Sequence, residues 1–224
     1  MNFLGFNLAD LLIRIPPLLL ALSMHELAHG YIAMKLGDPT ARNLGRLTLN
    51  PLRHIDPIGA VCMLLFRFGW AKPVPVNSRY FKNPRRDMAL TALAGPVSNF
   101  LMALIGMFLY RGTVALFLSM PEPASFWLSV EEVVVTMFFE FAILNISLGV
   151  FNLIPVPPLD GSRIFLTFLP PKLYFGLMKY ERYIMLVMFV ALYLGVFSRP
   201  LSFLVANIYR GMDSLVALIP IFNW

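Results

Sequence analysis

An uncharged run of 23 residues, Met88–Tyr110, restricts the fold of this chain more than any other feature. A helix needs about 20 mostly apolar residues to cross a bilayer. Val133–Leu159 gives a second apolar run, which is interrupted only by Glu140. Three prolines that follow Asn152 predict that the second helix ends near that residue. The two runs predict membrane-spanning helices in an all-α protein.

Three further apolar segments are weaker candidates for spanning helices: Leu8–Leu36, Tyr183–Ser198 and Leu201–Ile219. The second is short and is followed by Arg199 and Pro200. The third carries Arg210 and Asp213 at a spacing that lets them pair on one helix face. We therefore expect about five transmembrane helices. Pro57–Phe66 has about half the needed length and is expected to be re-entrant or interfacial.

The composition supports a polytopic membrane protein. Hydrophobic residues make up 58% of the chain and charged residues 13%, against about 45–50% and about 25% in soluble domains. A chain of 25.3 kDa cannot bury that much apolar surface within itself, so we expect lipid to cover it. Cys62 is the single cysteine, which excludes a disulfide-stapled secreted domain. The net charge of +6 is interpreted as a topology signal, and nucleic acid is not an expected partner.

Basic residues cluster in two connections between the apolar segments. Ten of the eighteen lie between Lys35 and Arg86, four more lie between Arg163 and Arg182, and Gly112–Val130 has none. Cytoplasmic loops of membrane proteins are enriched in Lys and Arg. We therefore expect the N-terminus to lie outside and both basic connections to lie in the cytoplasm.

His25 and His29 lie in the first apolar segment within the sequence His-Glu-Leu-Ala-His. Residues four apart project from one face of an α-helix, so two imidazoles at this spacing can share a metal ion. Glu26 is offset by about 100° and can take a proton from a water at the open coordination position. Ionisable side chains in a membrane helix are costly and mark functional sites. The pattern therefore predicts a metal site within the bilayer, on its cytoplasmic side.

A catalytic zinc site commonly has three protein ligands, so a third ligand is expected. Asp160 follows the proline-rich break at the end of the Val133–Leu159 run and fits the depth of the two histidines. Non-helical backbone at membrane depth is tolerated where it lines a cavity. His54, within Arg-His-Ile-Asp-Pro, is the alternative ligand, or else an accessory or gating residue. Glu140 lies nearer the outer half of its helix and is discounted as a ligand.

Three motifs together resemble the site-2 protease family of intramembrane zinc metalloproteases: His-Glu-Leu-Ala-His-Gly at His25–Gly30, Ala-Gly-Pro-Val-Ser-Asn at Ala94–Asn99, and Asn-x-x-Pro-x-x-Pro-x-Asp-Gly at Asn152–Gly161. They follow the family's order and cover a catalytic core of about residues 8–170. The resemblance implies that His25, His29 and Asp160 bind one zinc ion. It also implies that Glu26 is the catalytic base.

The resemblance assigns further roles around the metal. Asn152 and Asn99 are expected to line or brace the substrate site, where they bind the substrate backbone or the developing oxyanion. Gly45–Asn50 and Gly69–Asn77 are similar to small β elements beside the family's active site. An edge strand at Val74–Asn77 is expected to hold an unwound substrate in extended form by β-addition.

We expect residues 1–224 to form one membrane-embedded protease domain, with C-terminal helices over about residues 175–224. Larger members of the family insert a PDZ domain between the first two motifs, and the interval from Gly37 to Asp87 is too short for one. The chain resembles compact prokaryotic members, which implies the inner membrane and an active site toward the cytoplasm. The expected partners are a membrane-spanning protein substrate and the lipid bilayer, and the oligomeric state stays open.

The sequence thus predicts zinc-dependent hydrolysis of peptide bonds in transmembrane segments, with Glu26 as the general base. The main alternative is a membrane transporter or metal-permeation protein, because transporters also contain broken helices with ionisable groups at mid-membrane depth. A zinc-bound scaffold without proteolytic activity is a further alternative. The lack of a visible internal repeat and the presence of Glu26 favour the protease.

Overall fold

The computed structural model describes residues 2–3, 6–59, 71–120, 125–170, 173, 176–177 and 179–220. Within these ranges the chain is mainly helical, as predicted, with a two-residue antiparallel pair of strands before the first helix. The elements are β1 (Asn2–Phe3), β2 (Phe6–Asn7), α1 (Leu8–Lys35), α2 (Thr40–Asn43), α3 (Pro84–Leu118), α4 (Ser125–Asn152), α5 (Asp160–Leu166), α6 (Glu181–Tyr193) and α7 (Ser198–Ala217). Short 3-10 turns lie at Pro51–Arg53 and Ser78–Tyr80.

The helices α1, α3 and α4 pack against one another, and α7 packs against α4 and α3. Small residues allow the close approach of α3 to α4. A Cβ at Gly106 would lie 3.0 Å from the ring of Phe141, and Ala103 is fully buried against Ile146. Val216 of α7 completes this apolar core beside Met107.

Two of the helices in the described part of the chain are long and apolar enough to cross a membrane, Pro84–Leu118 and Trp127–Asn152. The pair α6 and α7 passes the same test only together, and its bend of 81° fits either one broken span or a re-entrant loop. The expectation of five separate spans is therefore not confirmed. In α1 the polar residues His25, Glu26 and His29 lower the hydropathy of the segment that contains the predicted metal site.

The C-terminal helices break earlier than the sequence predicted. We expected a helix to continue to Ser198 and to stop before Pro200, but α6 ends at Tyr193. Gly195 has a φ of +72°, in the left-handed region that glycine adopts without strain and that ends helices. Pro200 lies instead in the first turn of α7, where the N–H that proline lacks has no partner within the helix.

Asp213 does not pair with Arg210 along α7, as the spacing had suggested. It pairs with Arg111 of α3, with a distance of 2.9 Å between the guanidinium Nη2 and the carboxylate Oδ1. The side chain of Arg111 is 11% exposed, so its charge needs a partner inside the protein. Glu140 of α4 similarly pairs with Arg14 of α1 at 3.0 Å and is not part of the predicted metal site.

The predicted β elements of the basic connection are not confirmed as strands. Gly45–Asn50 forms turns and irregular backbone, and the part of Gly69–Asn77 that is described, residues 71–77, makes a single antiparallel bridge between Ala71 and Ile55. Pro73 and Pro75 have no N–H to give to a ladder, which accounts for the lack of regular pairing. Most of Pro57–Phe66, with Cys62, lies outside the described residues.

Candidate metal centre

His25 and His29 lie one turn apart on the inner face of α1. Their ring nitrogens Nε2 are 3.0 Å apart, which follows from the i, i+4 spacing on a helix. Both residues are buried. The predicted pair of imidazoles therefore converges on one point inside the helix bundle.

Asp160 joins the two histidines from the other end of the sequence. The helix α4 ends at Asn152, as predicted, and the prolines that follow keep the backbone non-helical until α5 begins at Asp160. Its Oδ2 lies 3.1 Å from Nε2 of His25 and 3.1 Å from Nε2 of His29. The structure thus brings together the three residues that the sequence proposed as metal ligands.

The second nitrogen of each ring is fixed by a hydrogen bond to an oxygen. Nδ1 of His25 lies 2.6 Å from Oδ1 of Asn99, and Nδ1 of His29 lies 2.8 Å from the carbonyl of Thr91. Because carbonyl oxygens only accept, each Nδ1 carries a hydrogen, and in the neutral ring each Nε2 then carries the lone pair. This arrangement, in which a ligating histidine donates its other N–H to an oxygen, is typical of metal sites.

Two nitrogen lone pairs and the Oδ2 atom of Asp160 therefore face one another at 3.0–3.1 Å. Three such atoms repel one another unless a proton or a metal cation lies among them. No donor among the described residues satisfies the buried Oδ2 of Asp160. Two imidazole nitrogens and one carboxylate oxygen fit a catalytic zinc ion, which has three protein ligands and one open position.

Two glycines let backbone approach this centre closely. A Cβ on Gly95 of α3 would overlap the rings of both His25 and His29. A Cβ on Gly161 would overlap the carbonyl of Leu153, in the break that precedes Asp160. These contacts give a physical reason for glycine in the second and third motifs.

Glu26 lies beside the candidate metal ligands and is held by the backbone of the extended segment that follows Ala71. Its Oε2 accepts the N–H of Val74 at 2.7 Å. The neighbours Pro73 and Pro75 have no N–H, so Val74 supplies the donor at this point. The carboxylate therefore has one oxygen in a fixed position and one that no described residue engages.

The remaining predicted residues lie in different places. Asn152 lines the cavity beside the metal-binding residues and donates to the carbonyl of Leu148 at 3.0 Å. Asn99 is fully buried behind His25. His54 lines the same cavity but lies outside the cluster of metal-binding residues, and its Nε2–H donates to the carbonyl of Thr48 at 2.8 Å.

The cavity has a volume of about 980 Å³ and its wall contains His25, Glu26, His29 and Asp160. Apolar side chains of α1 and α6, such as Leu18, Leu22 and Phe189, form much of the rest. The extended segment with Val74 and Val76 lies on the wall as well. The space is therefore large, mostly apolar and lined by the proposed metal ligands and base, as a binding site would be.

The sequence did not predict the contacts that three residues make at this site, although Val74 was expected in a substrate-binding strand. Thr91 acts through its backbone carbonyl, so its side chain carries no signal. Val74 acts through its backbone N–H, although the two flanking prolines mark it as a special donor. Asn145 is a fully buried amide in an apolar helix, and this cost could have singled it out.

Comparisons with known proteins agree with this geometry. The sequence profile of Peptidase family M50 matches residues 112–195, which include Asn152 and Asp160. The chain is 40% identical over 220 residues to "Putative zinc metalloprotease YwhC" of Bacillus subtilis (strain 168), covering 97% of this chain and 95% of that protein.

Two more distant relatives have the same type of name. "Putative zinc metalloprotease Rip2" of Mycolicibacterium smegmatis is 30% identical over 64% of this chain and 52% of that protein. "Zinc metalloprotease MJ0392" of Methanocaldococcus jannaschii is 26% identical over 72% of this chain and 35% of that protein. No solved structure matches the chain. The near full-length match to YwhC, together with the matching profile, confirms the resemblance: the chain belongs to peptidase family M50, the site-2 protease family of zinc metalloproteases.

Proposed function

We propose that this protein is an intramembrane endopeptidase that uses zinc to hydrolyse a peptide bond in a transmembrane segment of a protein substrate. The observation that carries the proposal is the convergence of His25, His29 and Asp160 within 3.1 Å on the wall of a large cavity, with Glu26 beside them. A site for metal transport has no need for a carboxylate held next to, but outside, the ligand cluster.

The residues present suit a zinc ion. Neutral imidazoles of His25 and His29 and the carboxylate of Asp160 supply the ligand types and number of a catalytic site. When bound, zinc supplies a Lewis acid that polarises a carbonyl and lowers the pKa of a coordinated water to about 7. The hydrogen bonds from Nδ1 to Asn99 and Thr91 hold both rings in the tautomer that this ligation needs.

Glu26 acts as the general base in this proposal. Oε2 is held by the N–H of Val74, which orients the carboxylate and leaves Oε1 to accept a proton from the attacking water. The same carboxyl then gives the proton to the nitrogen of the leaving amine. Glu26 is thus protonated and deprotonated once in each turnover, while its position is fixed by a backbone contact.

Asn152 is the proposed donor to the substrate carbonyl. One hydrogen of its amide nitrogen is used by the Leu148 carbonyl, and the second is left for the oxygen on which negative charge develops. Asn152 lies on the cavity wall, whereas Asn99 is buried behind His25. We therefore give the substrate contact to Asn152 and the bracing role to Asn99.

The apolar outer surface of the helices supports a position of the site within the bilayer, where a membrane-spanning substrate can reach it. Large apolar side chains are exposed on both candidate spanning helices, including Leu101 and Leu116 of α3 and Leu128 of α4. The basic connections predict a cytoplasmic side for the ends of the helices nearest the site. This orientation supports cleavage near the cytoplasmic side, and we propose the inner membrane of a prokaryotic cell as the location.

The decisive experiment begins with substrates. Membrane proteins that accumulate uncut in cells that make the Glu26→Gln variant are candidate substrates. Each is then incubated in detergent with purified protein before and after removal of zinc by a chelator, and after zinc is added back. Zinc-dependent cleavage within a transmembrane segment is the expected result. Zinc uptake by proteoliposomes without cleavage of any candidate would overturn the proposal in favour of the transporter.

A further inference from the structure

Asn145 is a fully buried amide in α4, and its partners lead to a metal-binding residue. Its exposure is 0%, and its neighbours along the core, Ile146 and Ala142, are apolar. A buried amide is costly unless its donors and acceptors are used. Asn145 uses them, because its Nδ2 donates to the carbonyl of Phe141 at 2.8 Å and its Oδ1 accepts from Asn99 at 2.9 Å.

The hydrogen bonds form a chain from Phe141 through Asn145 and Asn99 to His25, and the Phe141 carbonyl fixes the direction in which they donate. A backbone carbonyl only accepts, so Asn145 must turn its NH₂ group to Phe141 and its Oδ1 to Asn99. Asn99 must then turn its NH₂ group to Asn145, where a second hydrogen faces the carbonyl of Ala21 at 3.4 Å. The oxygen of Asn99 is left for Nδ1 of His25, at 2.6 Å.

This direction decides which nitrogen of His25 can bind a metal. The oxygen of Asn99 is an acceptor, so Nδ1 of His25 must carry the hydrogen. In the neutral ring the lone pair is then on Nε2, which faces Asp160. A flipped Asn99 would present its NH₂ group to Nδ1 and favour the opposite tautomer, with a hydrogen on Nε2 where the metal must bind. His29 has no such freedom, because its Nδ1 faces a backbone carbonyl.

We propose that Asn145 is a positioning residue that holds His25 in its metal-binding tautomer through Asn99. The inference rests on the proposed zinc site and extends it outward. His25 is the proposed ligand, Asn99 contacts His25, and Asn145 contacts Asn99 from a helix that supplies no ligand. Asn145 touches neither the metal position nor the substrate cavity, so it acts on metal affinity through another residue. Changes to such outer partners typically weaken metal affinity by about 10- to 100-fold.

The test is a double-mutant cycle on zinc affinity, measured by competition with a chelator in detergent. Asn145→Leu and Asn99→Leu should each weaken zinc binding by about tenfold or more, and the double variant should be no weaker than the weaker single variant. Effects that multiply in the double variant would overturn the proposal, because the two residues would then act independently. Zinc affinity of Asn145→Leu within threefold of the wild type would overturn it as well.

Two further variants separate positioning from a general loss of structure. Asn145→Asp has the same shape, and its neutral acid form can donate an O–H to the Phe141 carbonyl and keep an oxygen for Asn99, so zinc affinity should stay close to that of the wild type. Asn207→Leu removes the same type of bond to the carbonyl four residues earlier, at 2.9 Å from Phe203 on the exposed face of α7, and should have no effect. If Asn145→Leu does not fold, loss of zinc by Asn145→Asp in folded protein overturns the proposal and its retention supports it. Wild-type protein without bound zinc would instead reject the proposed function itself.

Discussion

The backbone N–H of Val74 donates a hydrogen bond of 2.7 Å to Oε2 of Glu26. This hydrogen bond connects Glu26, the proposed base, with the segment that contains Val74–Asn77, in which a substrate-binding strand was expected. The segment is anchored at two more points, since Lys72 N–H donates to the carbonyl of His54 at 2.8 Å and Asn77 N–H donates to Asp38 at 2.6 Å. A change in this segment should therefore affect the base as well as any bound peptide.

Glu26→Gln should abolish cleavage and leave zinc bound. The amide oxygen still accepts from Val74, but the side chain cannot take a proton, and loss of general base catalysis costs about 100- to 10,000-fold in rate. The two measurements are the zinc content of the purified protein and the cleavage of a substrate that accumulates uncut in cells that make this variant. Glu132→Gln, at an exposed position of α4, is the matched control and should retain both properties. Turnover at the wild-type rate by Glu26→Gln would contradict the assignment of Glu26 as the general base.

Val74→Pro should reduce the cleavage rate by about 10- to 100-fold without reducing zinc content. A hydrogen bond to a charged group contributes about 1.5–3 kcal/mol, and about 1.4 kcal/mol corresponds to a tenfold change in rate. Rates under saturating substrate, with zinc stoichiometry measured on the same samples, test this. Unchanged rates in Val74→Pro would contradict a role of this N–H in orienting Glu26.

Val76→Pro separates β-addition from the orientation of Glu26. This variant keeps the hydrogen bond from Val74 and removes the next N–H that an extended substrate would need. Under the clamp hypothesis it should raise KM and leave zinc binding unchanged, and Val76→Ala should behave as the wild type. An unchanged KM in Val76→Pro would leave Val74 as a support of Glu26 only and would reject the clamp.

Asp160→Ala should lower the zinc content of the purified protein, whereas His54→Ala should not. Asp160 lies 3.1 Å from both Nε2 atoms, and His54 lies outside that cluster. Metal analysis after dialysis against a weak chelator distinguishes the two. Zinc retained by Asp160→Ala and lost by His54→Ala would reverse the choice of third ligand. A loss of cleavage alone in His54→Ala would indicate an accessory or gating role.

Local periodicity made part of the site predictable. The spacing of His25 and His29 on a helix fixes their relative position whatever the rest of the fold does. The end of α4 at Asn152 was predictable for a similar reason, because the prolines that follow cannot continue a helix. The pairing with Asp160 needed the further argument that both segments lie at one membrane depth.

Other features depend on contacts between distant residues and have no local pattern. The fully buried Asn145 looks like an isolated polar residue in the sequence, and its partner Asn99 is on another helix. The β elements were predicted from composition, but Pro73 and Pro75 remove the N–H groups that a ladder requires. Asp213 had a partner at i−3, yet packing of α7 on α3 gave it the more buried Arg111.

Gly95→Ala should damage the metal site more than the fold. The added methyl group would overlap both histidine rings, so these must rotate away from the positions in which their Nε2 atoms converge. We expect zinc affinity to fall at least tenfold, and overpacking to lower the free energy of unfolding by about 1–3 kcal/mol. Gly211→Ala is the matched control, since a Cβ there meets no atom within 4 Å and alanine should stabilise α7 by roughly 0.5–1 kcal/mol. Chelator competition and unfolding in detergent measure the two quantities. Wild-type zinc affinity in Gly95→Ala would mean that the rings do not need this close approach of α3 to bind the metal.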